Sequence, residues 1–195
     1  HWLDWLEMKP FTTLFVDGNH ENFDRLYGYE AEEWHGGKVH KLRPSVIHLM
    51  RGQIFDIGEK VIFSFGGAKS HDISGGLLDA EDSNYHNKKR ELDRNGSLYR
   101  IKHLSWWEQE LASEGEMKEG LANLEKHDFK VDYIITHCGS TTMQNILSNK
   151  GIYKADAQTD YLDLIREKCI YDKWYFGHYH DNQNPTSKDV LPYEQ

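Results

Sequence analysis

The sequence contains 12 histidines among 195 residues, and several of them stand in short polar segments. Three such segments are Asn19-His20-Glu21, His137, and Gly177-His178-Tyr179-His180. Imidazole is the commonest side-chain metal ligand, and it gains or loses a proton near neutral pH. The sequence therefore predicts metal binding or acid–base chemistry at these three segments.

The last segment carries two histidines two positions apart. In an extended segment, residues i and i+2 point to the same face, so His178 and His180 are predicted to face a shared metal centre. Gly177 before them allows the backbone to approach a metal closely. Together with the carboxamide of Asn19, these imidazoles form a mixed nitrogen and oxygen donor set. Such a set suits Mn²⁺, Fe or Zn²⁺ better than Ca²⁺ or Mg²⁺.

Asn19 and His20 are adjacent, so in a sharp turn they can face different targets. The Asn19 carboxamide would ligate a metal while the His20 imidazole reaches the oxygen of a leaving group. This combination indicates hydrolysis of a phosphate ester, in which metal ions neutralise the phosphoryl oxygens and an acid protonates the departing alkoxide. We expect both Asn19 and His20 to contact the substrate.

Short strands are predicted directly before the three segments. Residues 12–16, 131–136 and 174–176 are rich in β-branched and aromatic residues, and each run leads into one of the polar segments. In alternating α/β architectures, ligands bind at the carboxyl ends of the strands. The three histidine-bearing segments are therefore predicted to converge at one site.

The remaining hydrophobic patterns also indicate an α/β fold. Helices are predicted from apolar spacing over residues 2–9 and 156–169, and from capping-box spacing at Ser105 with Glu108 and at Ser113 with Glu116. Further strands are predicted at residues 46–50, 53–57 and 61–65, the last two joined as a hairpin by Gly58-Glu59-Lys60.

Composition and charge exclude several classes of protein. Lys and Arg number 23 against 32 Asp and Glu, a net charge of −9 that offers no general basic surface, so we expect no nucleic-acid partner. No stretch approaches the roughly 18 consecutive apolar residues of a membrane span. Cys138 and Cys169 cannot form a disulfide framework and fit a reducing cytosol, which predicts a cytoplasmic location. The length predicts one domain over residues 1–195.

The three segments, in this order and each after a strand, resemble the motifs of the calcineurin-like metallophosphoesterase family, small bacterial members in particular. The resemblance covers the chain from about Trp2 to the C-terminus. It implies an α/β sandwich of two β-sheets flanked by helices, with two divalent metal ions of which Mn²⁺ is the expected kind. Asn19, His137 and His178 would ligate one ion, and His180 the other.

The resemblance also implies a mechanism. His20 would be the general acid at the leaving group, with Glu21 orienting or polarising it. A hydroxide activated by the two metals would attack phosphorus in line, without a covalent phospho-enzyme. The expected substrate is a phosphorylated small molecule or a phosphoprotein.

Two motifs of the family do not occur in this sequence. The family's remaining metal ligands come from an Asp-x-His pair and a Gly-Asp dipeptide before the Gly-Asn-His-Glu loop, and the chain contains neither. We therefore expect an N-terminal strand–helix–strand to be missing from this sequence. The alternative to two bound ions is a single ion in this chain. A catalytically degenerate protein-interaction module of the same fold is the alternative function, and a nuclease is a third.

The other histidines fall in no ligand spacing and are predicted to be surface or half-buried polar groups. The segment Ser70-His71-Asp72 is predicted to be a loop near the site, and Gly66-Gly67-Ala68 to line the substrate opening. The histidines outside the three segments are His35, His40, His48, His71, His86, His103 and His127.

Overall fold

Alternating strands and helices build two main β-sheets in the computed structural model, which describes residues 2–148 and 153–193. The strands are Thr13–Phe15 (β1), Ala31–Trp34 (β2), Gly37–Arg43 (β3), Val46–Leu49 (β4), Gln53–Ile57 (β5), Lys60–Phe65 (β6), Leu77–Leu78 (β7), Arg100–Ile101 (β8), Tyr133–Thr136 (β9), Lys173–Phe176 (β10) and Asp189–Val190 (β11). The helices are Trp2–Glu7 (α1), Phe23–Leu26 (α2), Tyr85–Asn95 (α3), Glu114–Lys126 (α4), Thr141–Leu147 (α5) and Ala157–Lys168 (α6), with a 3-10 helix at Glu108–Glu110.

The larger sheet has the order β11-β10-β9-β6-β5, and its strands β6, β9, β10 and β11 run parallel. Phe63, Ile134 and Trp174 from its central strands are almost fully buried in one cluster with Leu124 of α4 and Leu162 of α6. Burying a side chain of this size stabilises the fold by about 1.5–3 kcal/mol. This core fixes the parallel strands whose carboxyl ends lead to His137 and His178.

The second sheet has the order β1-β4-β3-β2, in which β1 lies parallel to β4 and the other pairs are antiparallel. Val39, Ile47 and Leu49 of this sheet form a buried cluster with Phe55 of β5. The two sheets therefore pack against each other through β5. Helix α1 lies against this second sheet, and α4 packs on β5 of the first.

The predicted α/β sandwich with two sheets flanked by helices is confirmed. The predicted hairpin is also confirmed, because β5 and β6 are antiparallel and joined by Gly58 and Glu59, both with positive φ, as in the tight turns that suit a hairpin. The missing N-terminal strand–helix–strand stays a prediction. No helix in the described part of the chain is long and apolar enough to cross a membrane.

The helix predicted to start at Ser105 is wrong. The Ser105 hydroxyl accepts the N–H of Ile101 at 2.9 Å and so closes a turn, and only the short 3-10 helix follows. Trp107 is extended and buried against Phe23 and Leu26, which holds the chain out of helical geometry at this point. The capping box at Ser113 and Glu116 is confirmed as the start of α4.

Candidate metal and catalytic site

One cleft of about 360 Å³ collects all six residues that the sequence predicted for the site. It lies where the segments after β1, β9 and β10 meet, as expected for the carboxyl ends of strands in an α/β fold. Its lining also includes Gly18 and two residues of the loop after β6. The lining residues are Gly18, Asn19, His20, Glu21, His71, Asp72, His137, His178 and His180.

Asn19 and His137 face each other across the cleft. The Asn19 Oδ1 and His137 Nε2 atoms lie 3.1 Å apart. Gly18 packs against the His137 ring, and a Cβ at this position would approach the ring atoms Cε1 and Nε2 to 3.1 and 3.3 Å. The glycine thus lets the loop after β1 come close enough for the amide oxygen and the imidazole nitrogen to meet.

His178 lies beside His137, with 5.2 Å between the ring centroids. The expectation that His178 and His180 share a face of an extended segment is wrong, because both residues have positive φ, 72° and 52°. The backbone turns sharply after β10, and the His180 ring stacks on Tyr193 with a centroid distance of 5.1 Å. Both histidines line the cleft, but the turn separates their directions.

His20 is exposed at the mouth of the cleft. Its Nε2 atom lies 3.3 Å from the Asn19 amide nitrogen and 3.5 Å from Nη2 of Arg100. The Glu21 carboxylate accepts the N–H of Gly18 at 3.3 Å, which shapes the loop. The predicted action of Glu21 on His20 stays a prediction.

The two histidines inside the cleft are electrically neutral at neutral pH. Burial lowers the pKa of His137 to about 4. Burial, together with the neighbouring His137 and His71, lowers the pKa of His178 to about 3. A neutral imidazole offers a lone pair, which is the form that binds a metal ion.

The spacing of Asn19 and His137 matches that of two ligands of one metal ion. Two ligand atoms about 2.1 Å from one ion and at right angles lie about 3 Å apart, close to the measured separation between Asn19 Oδ1 and His137 Nε2. The set combines one amide oxygen with the imidazoles of His137 and His178. Within residues 2–148 and 153–193, no three His, Cys, Asp or Glu side chains are close enough together to hold a metal ion.

A buried ion pair between Asp17 and Arg51 lies at the start of the loop after β1. The Asp17 carboxylate, with no solvent exposure, accepts hydrogen bonds from Arg51 at 2.5 and 3.0 Å and from His48 Nε2 at 3.1 Å. Burial alone would raise the pKa of Asp17, but the Arg51 charge and the His48 hydrogen bond outweigh it and lower this pKa to about 2. Asp17, directly before Gly18, is therefore negatively charged at neutral pH.

Gly66 makes room for this anion. A Cβ on Gly66 would overlap the Asp17 carboxylate, and the next residue, Gly67, donates its N–H to the Asp17 carbonyl at 2.8 Å. The prediction that Gly66-Gly67-Ala68 lines the substrate opening is wrong, since these residues are buried beneath the site. The adjacent glycines were visible in the sequence, but nothing in it pointed to their contact with Asp17.

The loop 70–72 lies at the site, as predicted. His71 was grouped with the surface histidines, yet it lines the cleft with its ring centroid 5.0 Å from that of His178. Asp72 also lines the cleft and pairs with Arg100 through two hydrogen bonds. Sequence reasoning missed Arg100, because no local pattern connects β8 to a loop some 30 residues earlier.

The sequence model of the family described as calcineurin-like phosphoesterase matches residues 1–182. The chain belongs to this family. The family acts on phosphate esters, which agrees with a cleft built from an amide oxygen, neutral imidazoles and an exposed histidine. Searches of curated proteins and of solved structures found no matching protein.

Proposed function

We propose that this chain hydrolyses phosphate esters, as a phosphatase or phosphodiesterase, with a divalent metal ion held by Asn19, His137 and His178. The observation that carries the proposal is the pairing of Asn19 Oδ1 with the neutral His137 Nε2 at 3.1 Å inside the cleft. Mn²⁺ is the metal to test first, followed by Fe and Zn²⁺. A second ion at His180 is part of the proposal, and it rests on the family alone.

A metal ion held here would neutralise charge on the phosphoryl oxygens and activate water. The chain's own residues do the rest. Asn19 contacts the substrate inside the cleft, and His20 contacts it at the mouth and delivers a proton to the leaving-group oxygen. Glu21 holds the loop through the Gly18 N–H and so keeps His20 facing the mouth.

The size of the cleft suits a small substrate group. Its volume of about 360 Å³ suits a phosphoryl group with a modest ester, carried by a small molecule or presented on a protein surface. A cytoplasmic location is also part of the proposal, and the two free, buried cysteines support it.

The test is hydrolysis of p-nitrophenyl phosphate and of its bis ester by protein that has been stripped with a chelator and reloaded with Mn²⁺. We expect activity in the wild-type chain and its loss in N19A and in H137A. The matched control is D189N, which alters a buried carboxylate outside the cleft lining and should keep the activity. A wild-type chain that hydrolyses neither ester with Mn²⁺, Fe²⁺ or Zn²⁺ would contradict the proposal.

A protein-interaction module is the second candidate. The partial donor set favours it, because no group of three His, Cys, Asp or Glu side chains among the described residues is arranged to hold a metal ion. If H20A keeps the biological role of the chain intact, then catalysis is not that role.

A further inference from the structure

The carboxamide of Asn19 has two different ends, and only its oxygen can bind a metal ion. A rotation by 180° about the last side-chain bond would place the NH₂ group against His137 instead. A metal site that uses Asn19 as a ligand therefore requires the amide to be held in one of its two orientations. Hydrogen bonds from neighbouring residues hold the amide in one orientation.

Glu110 fixes the proton of the Ser70 hydroxyl. The Glu110 carboxylate is 2% exposed and accepts two hydrogen bonds from Ser70, from its N–H at 3.0 Å and from its hydroxyl at 2.6 Å. A hydroxyl has one proton. Since that proton is given to Glu110, the Ser70 oxygen can only accept a further hydrogen bond.

The Ser70 oxygen in turn accepts from Asn19. The Asn19 Nδ2 atom lies 3.1 Å from Ser70 Oγ, and both side chains are buried. The other amide proton faces His20 Nε2 at 3.3 Å. Both protons thus lie on the side away from His137, and the amide oxygen is left facing the His137 nitrogen.

The buried ion pair beneath the site anchors Glu110. Arg51 donates from Nη2 to the carbonyl of Gln109 at 2.6 Å while it binds Asp17. Arg51 therefore links the 3-10 helix that carries Glu110 to Asp17, the residue directly before the Gly18–His20 loop. This connection fixes the positions of Glu110, Ser70 and Asn19 relative to one another.

We propose that Glu110 and Ser70 are positioning residues that fix the Asn19 carboxamide with its oxygen toward the metal site. The consequence for catalysis rests on the proposed function. The direction of the amide itself does not, because it follows from the hydrogen bonds alone.

The experiment compares S70A, E110Q and the control D189N with the wild-type chain, after circular dichroism has shown each to be folded. S70A removes the acceptor, and E110Q adds an amide donor that can reverse the Ser70 hydroxyl. D189N changes a fully buried carboxylate to an amide outside the network. Mn²⁺ affinity is measured by titration calorimetry. Exchange of the Asn19 side-chain amide protons is measured by NMR without metal, with the exposed Asn145 as reference.

We expect S70A and E110Q each to weaken Mn²⁺ binding by about 10–100-fold, the usual effect of losing a residue that orients a ligand. We also expect each to speed exchange of the Asn19 amide protons toward the rate of Asn145, while D189N stays within about twofold of wild type in affinity. If both variants match D189N in affinity and in Asn19 exchange, the inference is wrong.

Failure of the proposed function gives a different result. In that case the wild-type chain hydrolyses no ester, yet the Asn19 exchange rates still separate S70A and E110Q from D189N. If the wild-type chain does not bind Mn²⁺, the exchange comparison alone decides the inference, and equal rates in all four proteins overturn it.

Discussion

His20 differs in its exposure to solvent from His137 and His178, the two half-buried histidines of the cleft. His137 and His178 are half-buried within the cleft, whereas the His20 ring is exposed at its mouth. A leaving group departs toward solvent, so the acid that protonates it must stand on that side. The separation of roles among the histidines therefore follows from where each lies rather than from residue type.

H20A should reduce hydrolysis according to how much the leaving group needs a proton. We expect kcat/KM for phenyl phosphate to fall by about 10²–10⁴-fold, the usual contribution of a general acid. The loss for p-nitrophenyl phosphate should be smaller, because p-nitrophenolate departs more easily without protonation. H86A, at an exposed histidine of α3, is the control. Equal losses for both esters would argue against a general acid.

The sequence revealed those site residues that directly follow a strand. Asn19, His20, His137 and His178 could be found because the strand pattern and the polar residue are neighbours in the chain. Ser70 and Glu110 could not, because their positions depend on tertiary contacts. Ser70 contacts the Asn19 side chain, and Glu110 contacts Ser70, only in the folded chain.

Helix α4 begins with a reciprocal cap that the sequence predicts. Ser113 accepts the N–H of Glu116 at 3.2 Å, and the Glu116 carboxylate accepts the N–H of Ser113 at 2.7 Å. We expect S113A to lower the free energy of unfolding by about 1 kcal/mol, measured by urea denaturation. S113D, which keeps an acceptor at the cap, should lie close to wild type. A loss as large in S113D as in S113A would show that the cap is not the cause.

Asp189 joins β11 to α6 through a bidentate pair with Arg166, at 2.7 and 2.8 Å. Burial would raise the pKa of Asp189, but the hydrogen bonds from Arg166 and Thr186 outweigh it and lower this pKa. The carboxylate therefore stabilises the fold fully above its unfolded pKa near 4, and the stabilisation is lost as pH falls through the lower folded value.

D189N should remove the stabilisation that the Asp189 carboxylate gives through its pair with Arg166. We expect it to lower the free energy of unfolding at pH 7 by about 1–3 kcal/mol, the cost of an altered buried partner. The difference from wild type should shrink as pH falls below about 4, because only the wild-type group titrates there. Urea denaturation of both proteins across this range gives the measurement. A difference that stays constant with pH would contradict this assignment.

Burial and local pattern decided which elements were predictable. Strands β5, β6, β9 and β10 are rich in apolar and aromatic residues, and the predicted bounds of each lie within a residue or two of those observed. Strands β2 and β3 were missed because Glu32, Glu33 and Lys38 face solvent and mask the pattern. Strand β3 pairs with β4, and β2 pairs with β3, so both strands depend on tertiary pairing that the local sequence does not show.

Both cysteines are free and buried in the larger core. Burial raises the pKa of Cys138 to about 12 and that of Cys169 to about 11, so neither forms the reactive thiolate near neutral pH. We expect Ellman's reagent at pH 8 to label neither thiol rapidly in the native chain and both in urea. C138S and C169S identify each signal. Rapid labelling of a native thiol would contradict the packing of this core.

The parallel centre of the larger sheet also determines the order in which the molecule assembles. Phe65 pairs with Thr136, and Thr136 with Phe176, so these contacts close long stretches of chain, whereas the β5–β6 hairpin is local. Proteins with many such distant contacts refold slowly, because the entropy of closing each stretch is lost before the contact forms. The hairpin should therefore appear early in refolding. The histidines after β9 and β10 depend on these distant pairs for their positions, so the cleft should form after the hairpin.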